Sequence, residues 1–138
     1  MQFRNEFDFL SNFYHAPITI TLRLDKQTVQ ATFPTVENAF QAMKDLSRYK
    51  EFQQITPGQA KRLGRKVSLR PDWETIKDNY MKRLVREKFR QHPDLLQRLK
   101  ALNGLIQEDN TWGDRYWGVC NGTGQNKLGK ILMKIRDE

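Results

Sequence analysis

The sequence predicts an α+β fold, a predominantly helical single domain over residues 1–138 with a small antiparallel β-hairpin or sheet. Three observations carry that expectation. Residues 18–22 and 28–33 are β-branched or alternating and are separated by a short polar turn. Several later segments repeat apolar residues at helical spacing, and helix-starting and helix-stopping residues stand where those segments begin and end. Mean hydropathy is low at −0.79, yet 11% of residues are aromatic, and rings that each bury a large area argue for a packed domain over a disordered chain.

Taken in order, Phe3, Phe7, Phe9, Phe13 and Tyr14 surround Ser11-Asn12 as an ordered loop whose aromatics anchor it to the core. Strands follow at residues 18–22 and 28–33, with Asp25-Lys26-Gln27 as the turn between them. Pro34 ends the second strand and Thr35 is an N-cap, after which Val36, Ala39, Phe40 and Met43 recur at helical spacing. Glu37 thereby falls in a first helical turn. Thr56-Pro57 starts another helix through residues 59–65. Asp72 is placed to cap the longest helix, whose stripe of Trp73, Ile76, Tyr80, Met81, Leu84, Val85 and Phe89 runs to the stop at His92-Pro93. A shorter helix covers residues 93–102, a loop carries residues 104–113, and residues 116–120 read as a third strand. The last helix faces Leu128, Ile131, Leu132 and Ile135 inward; there is no repeat, linker or low-complexity tract.

Charge points to an anionic partner. The net charge is +8, and residues 61–90 hold eleven Lys/Arg against four Asp/Glu, a local excess of +7. Nucleic acid, a phosphorylated metabolite and a solvated helical face all satisfy that excess. No run approaches the roughly 18–20 apolar residues of a membrane span, and Met1-Gln2-Phe3-Arg4-Asn5-Glu6 is not a signal segment. The expectation is a cytoplasmic protein with no membrane partner. With one cysteine, Cys120, and two histidines, His15 and His92, far apart, neither a disulfide nor a thiolate or histidine metal site is expected, and no cofactor is required.

Several residues invite a chemical reading beside a structural one. The run Asn121-Gly122-Thr123-Gly124-Gln125-Asn126 leads into a helix and reads either as a phosphate cradle or as a turn with a helix cap. It is not a Walker loop, because Ile131 stands where the magnesium-binding hydroxyl belongs, and its glycine spacing fails the dinucleotide pattern. A carboxylate at Glu37 also suits the helix dipole, and Asp114 also suits a turn. Trp73 and Trp112 read as core or as stacking platforms, with Trp73 at a helix start the better platform. Lys44, Lys61, Arg62 and Arg65 read as phosphate ligands or as solvated surface.

Together these features resemble the NADAR or YbiA-like family (NAD and ADP-ribose associated). Phe3-Arg4-x-x-Phe7-x-Phe9-Leu10-Ser11-Asn12-Phe13-Tyr14 resembles its opening motif, and Pro34-Thr35-Val36-Glu37-Asn38-Ala39-Phe40-Gln41-Ala42-x-Lys44 its glutamate helix. Gly64-Arg65, Trp73, Met81, Lys88-Phe89, Asp114-x-x-Trp117-Gly118 and Gly122-x-Gly124-x-Asn126-x-Leu128-Gly129-x-x-Leu132-Met133-x-x-Arg136 follow in the same order over nearly the whole chain. The resemblance implies an N-glycosidase of ADP-ribosyl or phosphoribosyl compounds, acting on riboflavin-pathway intermediates or on ADP-ribosylated guanine in nucleic acid. It implies Glu37, Asp114 and Trp73 as the functional trio, and Arg4, Asn12, Lys44, Arg65 and the loop of Gly122, Gly124 and Asn126 as substrate binders. Glu108 and Asp109 lie in the same acidic loop, so the second carboxylate is assigned to Asp114 by its Asp-x-x-Trp-Gly context. The competing expectation is a non-catalytic module that binds ADP-ribose or nucleic acid, with affinity falling steeply with salt.

Overall fold

A computed structural model describes residues 1–138. The chain resolves into two compact units, Asn12–Gln91 and a second made of Met1–Ser11 with His92–Glu138. No helix is long and apolar enough to cross a membrane.

In the unit from Asn12 to Gln91, strands β1 (Ile18–Leu24) and β2 (Gln27–Phe33) form the expected antiparallel hairpin, in register from Ile18↔Phe33 to Leu24↔Gln27. The turn is shorter than expected, Asp25-Lys26 alone, because Gln27 already pairs with Leu24. Alternation buries Ile18 and Leu22 on one strand and Ala31 and Phe33 on the other, while the opposite face carries polar pairs such as Thr19–Thr32, whose hydroxyls lie 2.8 Å apart.

Helix α1 (Val36–Ala42) is buried along its whole length. Thr35 caps it as the sequence predicts, its Oγ1 accepting from the Asn38 N–H at 3.1 Å. A fully buried helix has no solvated side on which to place polar groups, so an unpartnered one is costly. Asn38 avoids that cost by donating to the carbonyls of Phe52 and Ile55 at 2.9 and 2.8 Å. Those carbonyls flank the end of α2 (Tyr49–Phe52), a short helix with no sequence signal of its own, preceded by a 3₁₀ turn at Leu46–Arg48. Helix α3 (Pro57–Leu63) starts with the full capping box of Thr56 and Gln59 and ends two residues before the expected Arg65.

The longest helix, α4 (Trp73–Gln91), begins where expected. The Asp72 carbonyl accepts from Thr75 and Ile76, but its carboxylate turns back to Arg70, 2.7 Å from Nε. The buried stripe of α4 includes Lys88, only 1% exposed, with its ammonium 5.7 Å from the Tyr14 ring centroid and 5.2 Å from that of Phe89. The basic run is therefore not purely a solvated face.

The other unit contains the N-terminal segment, where the expected ordered loop is a 3₁₀ helix (Asn5–Leu10). Phe9 and Leu10 are its buried anchors, and the Arg98 guanidinium stacks 4.1 Å over Phe9. Phe13, expected to be an anchor, is 44% exposed. Helices α5 (Pro93–Lys100) and α6 (Lys127–Asp137) pack together, and they bury Leu95 and Leu99 on the first and Leu128, Ile131, Leu132 and Ile135 on the second. The expected third strand shrinks to β4 (Val119–Cys120), which pairs in parallel with β3 (Asp109–Asn110) inside the predicted loop.

Asn126 organises this unit. It adopts a left-handed conformation, with φ of 51°. Its side-chain amide accepts from the Glu108 N–H at 3.1 Å and donates to the Ile106 carbonyl at 2.9 Å. Gly129 lies against the same groups: a Cβ there would meet the Ile106 carbonyl oxygen at 2.2 Å and both Asn126 amide atoms at 2.4 Å. None of these can withdraw without breaking a buried hydrogen bond. Gly129→Ala is expected to destabilise the protein by about 2–3 kcal/mol through overpacking, read as a lower urea midpoint at unchanged slope.

Candidate active site

Of the ten residues proposed from sequence, Asn12, Glu37, Lys44, Arg65 and Trp73 belong to one unit, and Arg4, Asp114, Gly122, Gly124 and Asn126 to the other. The first group converges on one helix. Glu37, Gln41 and Lys44 recur along a single face of α1 and the turn that continues it. Glu37 is 8% exposed. Its N–H donates to the Asn12 carbonyl at 3.0 Å, which joins the opening motif to the glutamate helix. Its Oε1 accepts from Gln41 Nε2 at 3.4 Å. Asn12 donates its side-chain N–H to the Met81 sulfur at 3.4 Å, whereas its Oδ1 is buried and without a hydrogen-bond partner.

Lys44 is the positive counterpart. Burial pushes its ammonium pKa down, the Glu37 carboxylate pulls it up, and Arg65, Lys77 and Lys61 push it down again. A buried carboxylate thus sits beside a cluster of cations contributed by the end of α1, α3 and its following turn, and α4. Lys61 reads from sequence as a phosphate ligand or solvated surface, whereas Lys77 is not singled out; its one signal is the local charge excess. Because Glu37 favours the charged lysine, Glu37→Gln is expected to lower the Lys44 pKa further. An NMR titration of the Lys44 Cε and Nζ resonances checks this, and an unchanged or raised value would contradict the coupling.

Trp73, read from sequence as core or as a stacking platform, is buried. It is 5% exposed, with its ring tilted at 52° to Phe40 and 5.1 Å from it between centroids. The preceding segment folds back, the Arg70 N–H donating to the Lys44 carbonyl at 3.1 Å, and this brings the helix start inward. Lys44 Nζ lies 5.9 Å from the Trp73 ring centroid, so the indole serves as an apolar and π-rich wall at the charged cluster. The exposed tryptophan is Trp112, at 59%.

In the other unit, Asp114 has a clear local function. Its Oδ1 accepts from the N–H groups of Tyr116 and Trp117 at 3.0 and 2.9 Å. Its own backbone is clasped by the Asn110 side chain, which donates to its carbonyl at 2.8 Å and accepts from its N–H at 3.0 Å. This is the turn chemistry of Asp, with only one oxygen engaged. Arg4 is exposed at the start of the 3₁₀ helix.

The expected phosphate cradle is largely closed. Asn121 and Gly122, both at positive φ, make a two-residue turn that pairs Cys120 with Thr123. The N–H groups of Gln125, Asn126, Lys127 and Leu128 then donate to the carbonyls of Arg115, Gly118, Tyr116 and Trp117. Gly124 is required for contact, since a Cβ would meet the Gly118 oxygen at 2.2 Å. These four donors are not available to an anion, because the end of the loop and the first two residues of α6 pair with residues 115–118. Asn126, with both amide atoms on backbone groups, is likewise committed to holding the loop.

The NADAR domain model matches residues 2–138, and the chain belongs to that family. The N-glycosidase YbiA of Shigella boydii is 40% identical over 113 residues, covering 78% of this chain and 71% of that protein. A riboflavin biosynthesis protein of Vibrio vulnificus is 35% identical over 136 residues, which cover 94% of this chain but 35% of that protein. The NMR structure of the E. coli protein YbiA matches with a TM-score of 0.77 at 35% identity, over 99% of this chain and 82% of that one. The fold is that of YbiA, and the chain is an enzyme of the N-glycosidase class.

Proposed function

We propose that the chain hydrolyses the C1′–N bond of a phosphorylated ribosyl compound, either an ADP-ribosyl or a phosphoribosyl one, with Glu37 as the principal catalytic carboxylate. One observation carries this reading: Glu37 is buried on a helix face beside Lys44, a cation whose own charged neighbours are Arg65, Lys77 and Lys61. A buried carboxylate beside a cation suits a substrate that is itself anionic at one end and becomes positive at another. The relatives' names support both halves, one set naming N-glycosidases and another riboflavin biosynthesis.

Cleaving the bond develops positive charge at C1′, which a buried carboxylate stabilises more strongly than one in water. Glu37 also orients a water molecule and accepts its proton as the C1′–O bond forms. The electron pair of the breaking bond leaves with the nitrogen, which takes up the proton, so the products are the nitrogenous leaving group and either free ADP-ribose or free ribose phosphate. Lys44 and Arg65 hold the phosphate, where binding energy remote from the reacting bond positions it. Asn12 presents its unpartnered Oδ1 to a donor such as a ribose hydroxyl. Asp114 is proposed as a second functional carboxylate.

The deciding experiment is mass detection of the released nitrogenous product, guanosine from ADP-ribosylated guanosine, nicotinamide from NAD and the free pyrimidine from phosphoribosyl pyrimidines. Release from an ADP-ribosyl or phosphoribosyl member identifies the branch. Binding without release from any of them would replace hydrolysis by a binding function.

A further inference from the structure

Gln41 follows Glu37 by four residues and shares its helix face. It is 5% exposed; its Nε2 donates to Glu37 Oε1 at 3.4 Å, while its own Oε1 is buried with no hydrogen-bond partner. An amide oxygen left in that state costs stability. Reversing the amide would set Oε1 against the carboxylate, acceptor facing acceptor, so the observed orientation is the one that keeps a donor on Glu37. Beyond the amide stands Gly64, directly after α3, where a Cβ would lie 1.9 Å from Gln41 Oε1 and 2.9 Å from Cδ. A methyl group there would push the amide off its place. An apolar side chain at position 41 would fill the same volume with no unsatisfied oxygen, so packing alone does not explain glutamine.

We propose that Gln41 is the positioning residue of Glu37, and that Gly64 is the spacer that lets its amide reach the carboxylate. The inference rests on the reading of Glu37 as the catalytic group. Misplacing a catalytic group by about 1 Å slows chemistry without weakening substrate binding.

The test is a double-mutant cycle on the full chain, with ADP-ribosylated guanosine and a phosphoribosyl pyrimidine as probes. Gln41→Met, similar in length but without a donor, is expected to lower kcat about 10- to 100-fold with KM within about twofold. Gly64→Ala is expected to do the same, and the double variant to be no slower than the slower single one, since both remove one contact. Wild-type kcat in either folded single variant, or losses that multiply in the double, would overturn the proposal. Gly64→Ala lies outside α1 and keeps the test decisive where Gln41→Met does not fold, thermal transitions reporting which variants do. Glu37→Gln is assayed alongside: wild-type release from that variant removes the underlying reading, whereas an inactive Glu37→Gln beside a fully active Gln41→Met removes only the positioning role.

Discussion

Glu37→Gln is expected to lower the rate of base release about 10³-fold while leaving the fold in place. The substitution conserves shape, so the neighbours of a helix buried over its whole length keep their contacts. The Thr35 cap and the Asn38 bonds to Phe52 and Ile55 do not involve the position 37 side chain. A glutamine Oε1 still accepts from Gln41 Nε2 in the same geometry. What disappears is the negative charge, together with the ability to accept a proton from water. The favourable interaction with the helix N-terminus goes as well, but a neutral amide is easier to bury than a carboxylate, so the net change in stability should stay within about 1 kcal/mol. Mass detection of released base measures the first effect and a thermal transition the second. Turnover at the wild-type rate would exclude Glu37 from the chemistry.

Asp114 separates structure from chemistry through two substitutions that act differently on its turn. Asparagine retains an oxygen that accepts from Tyr116 and Trp117, so Asp114→Asn preserves the bonds seen at Oδ1 and removes only the charge. Alanine removes both. A functional carboxylate predicts that Asp114→Asn loses about 10²- to 10³-fold in turnover while melting close to the wild type. Asp114→Ala should then add a loss of about 1–2 kcal/mol from two unsatisfied N–H groups in a half-buried turn. A wild-type rate in Asp114→Asn, with Asp114→Ala unstable, would leave Asp114 as a turn former and reduce the proposed chemistry to Glu37 and its cationic neighbours.

Much of the architecture was readable from local rules. The hairpin register follows from alternation and a polar turn, the starts of α1 and α3 from Thr35 and Thr56, and the start of α4 from Pro71-Asp72. Where the reading fell short, the missing term was non-local. Helix α2 has no cap or period to announce it and is held by Asn38, distant in sequence. The pairing of β3 with β4 spans two residues on each side, too few for any pattern.

The candidate site shows the same division. Periodicity alone places Glu37, Gln41 and Lys44 on one face, since 3.6 residues per turn dictates it. That Lys44 is partly buried and ringed by Lys61, Arg65 and Lys77 depends on how α3 and α4 pack on α1. The glycines after Asn121 looked open to an anion because glycine permits backbone approach, but what approaches Gly124 is the Gly118 carbonyl. Trp73 at a helix start read as the better stacking platform, and it is 5% exposed with its ring against that of Phe40.

By itself the sequence determined which elements form, where they begin, and which side chains share a helix face, because those depend on dihedral preference, capping and period over a few residues. Only the tertiary structure decided which of those side chains are buried, which backbone donors are already taken, and which charges stand close enough to shift one another. Burial and Coulombic coupling depend on distances through space, and segments far apart along the chain set those distances only once they are packed.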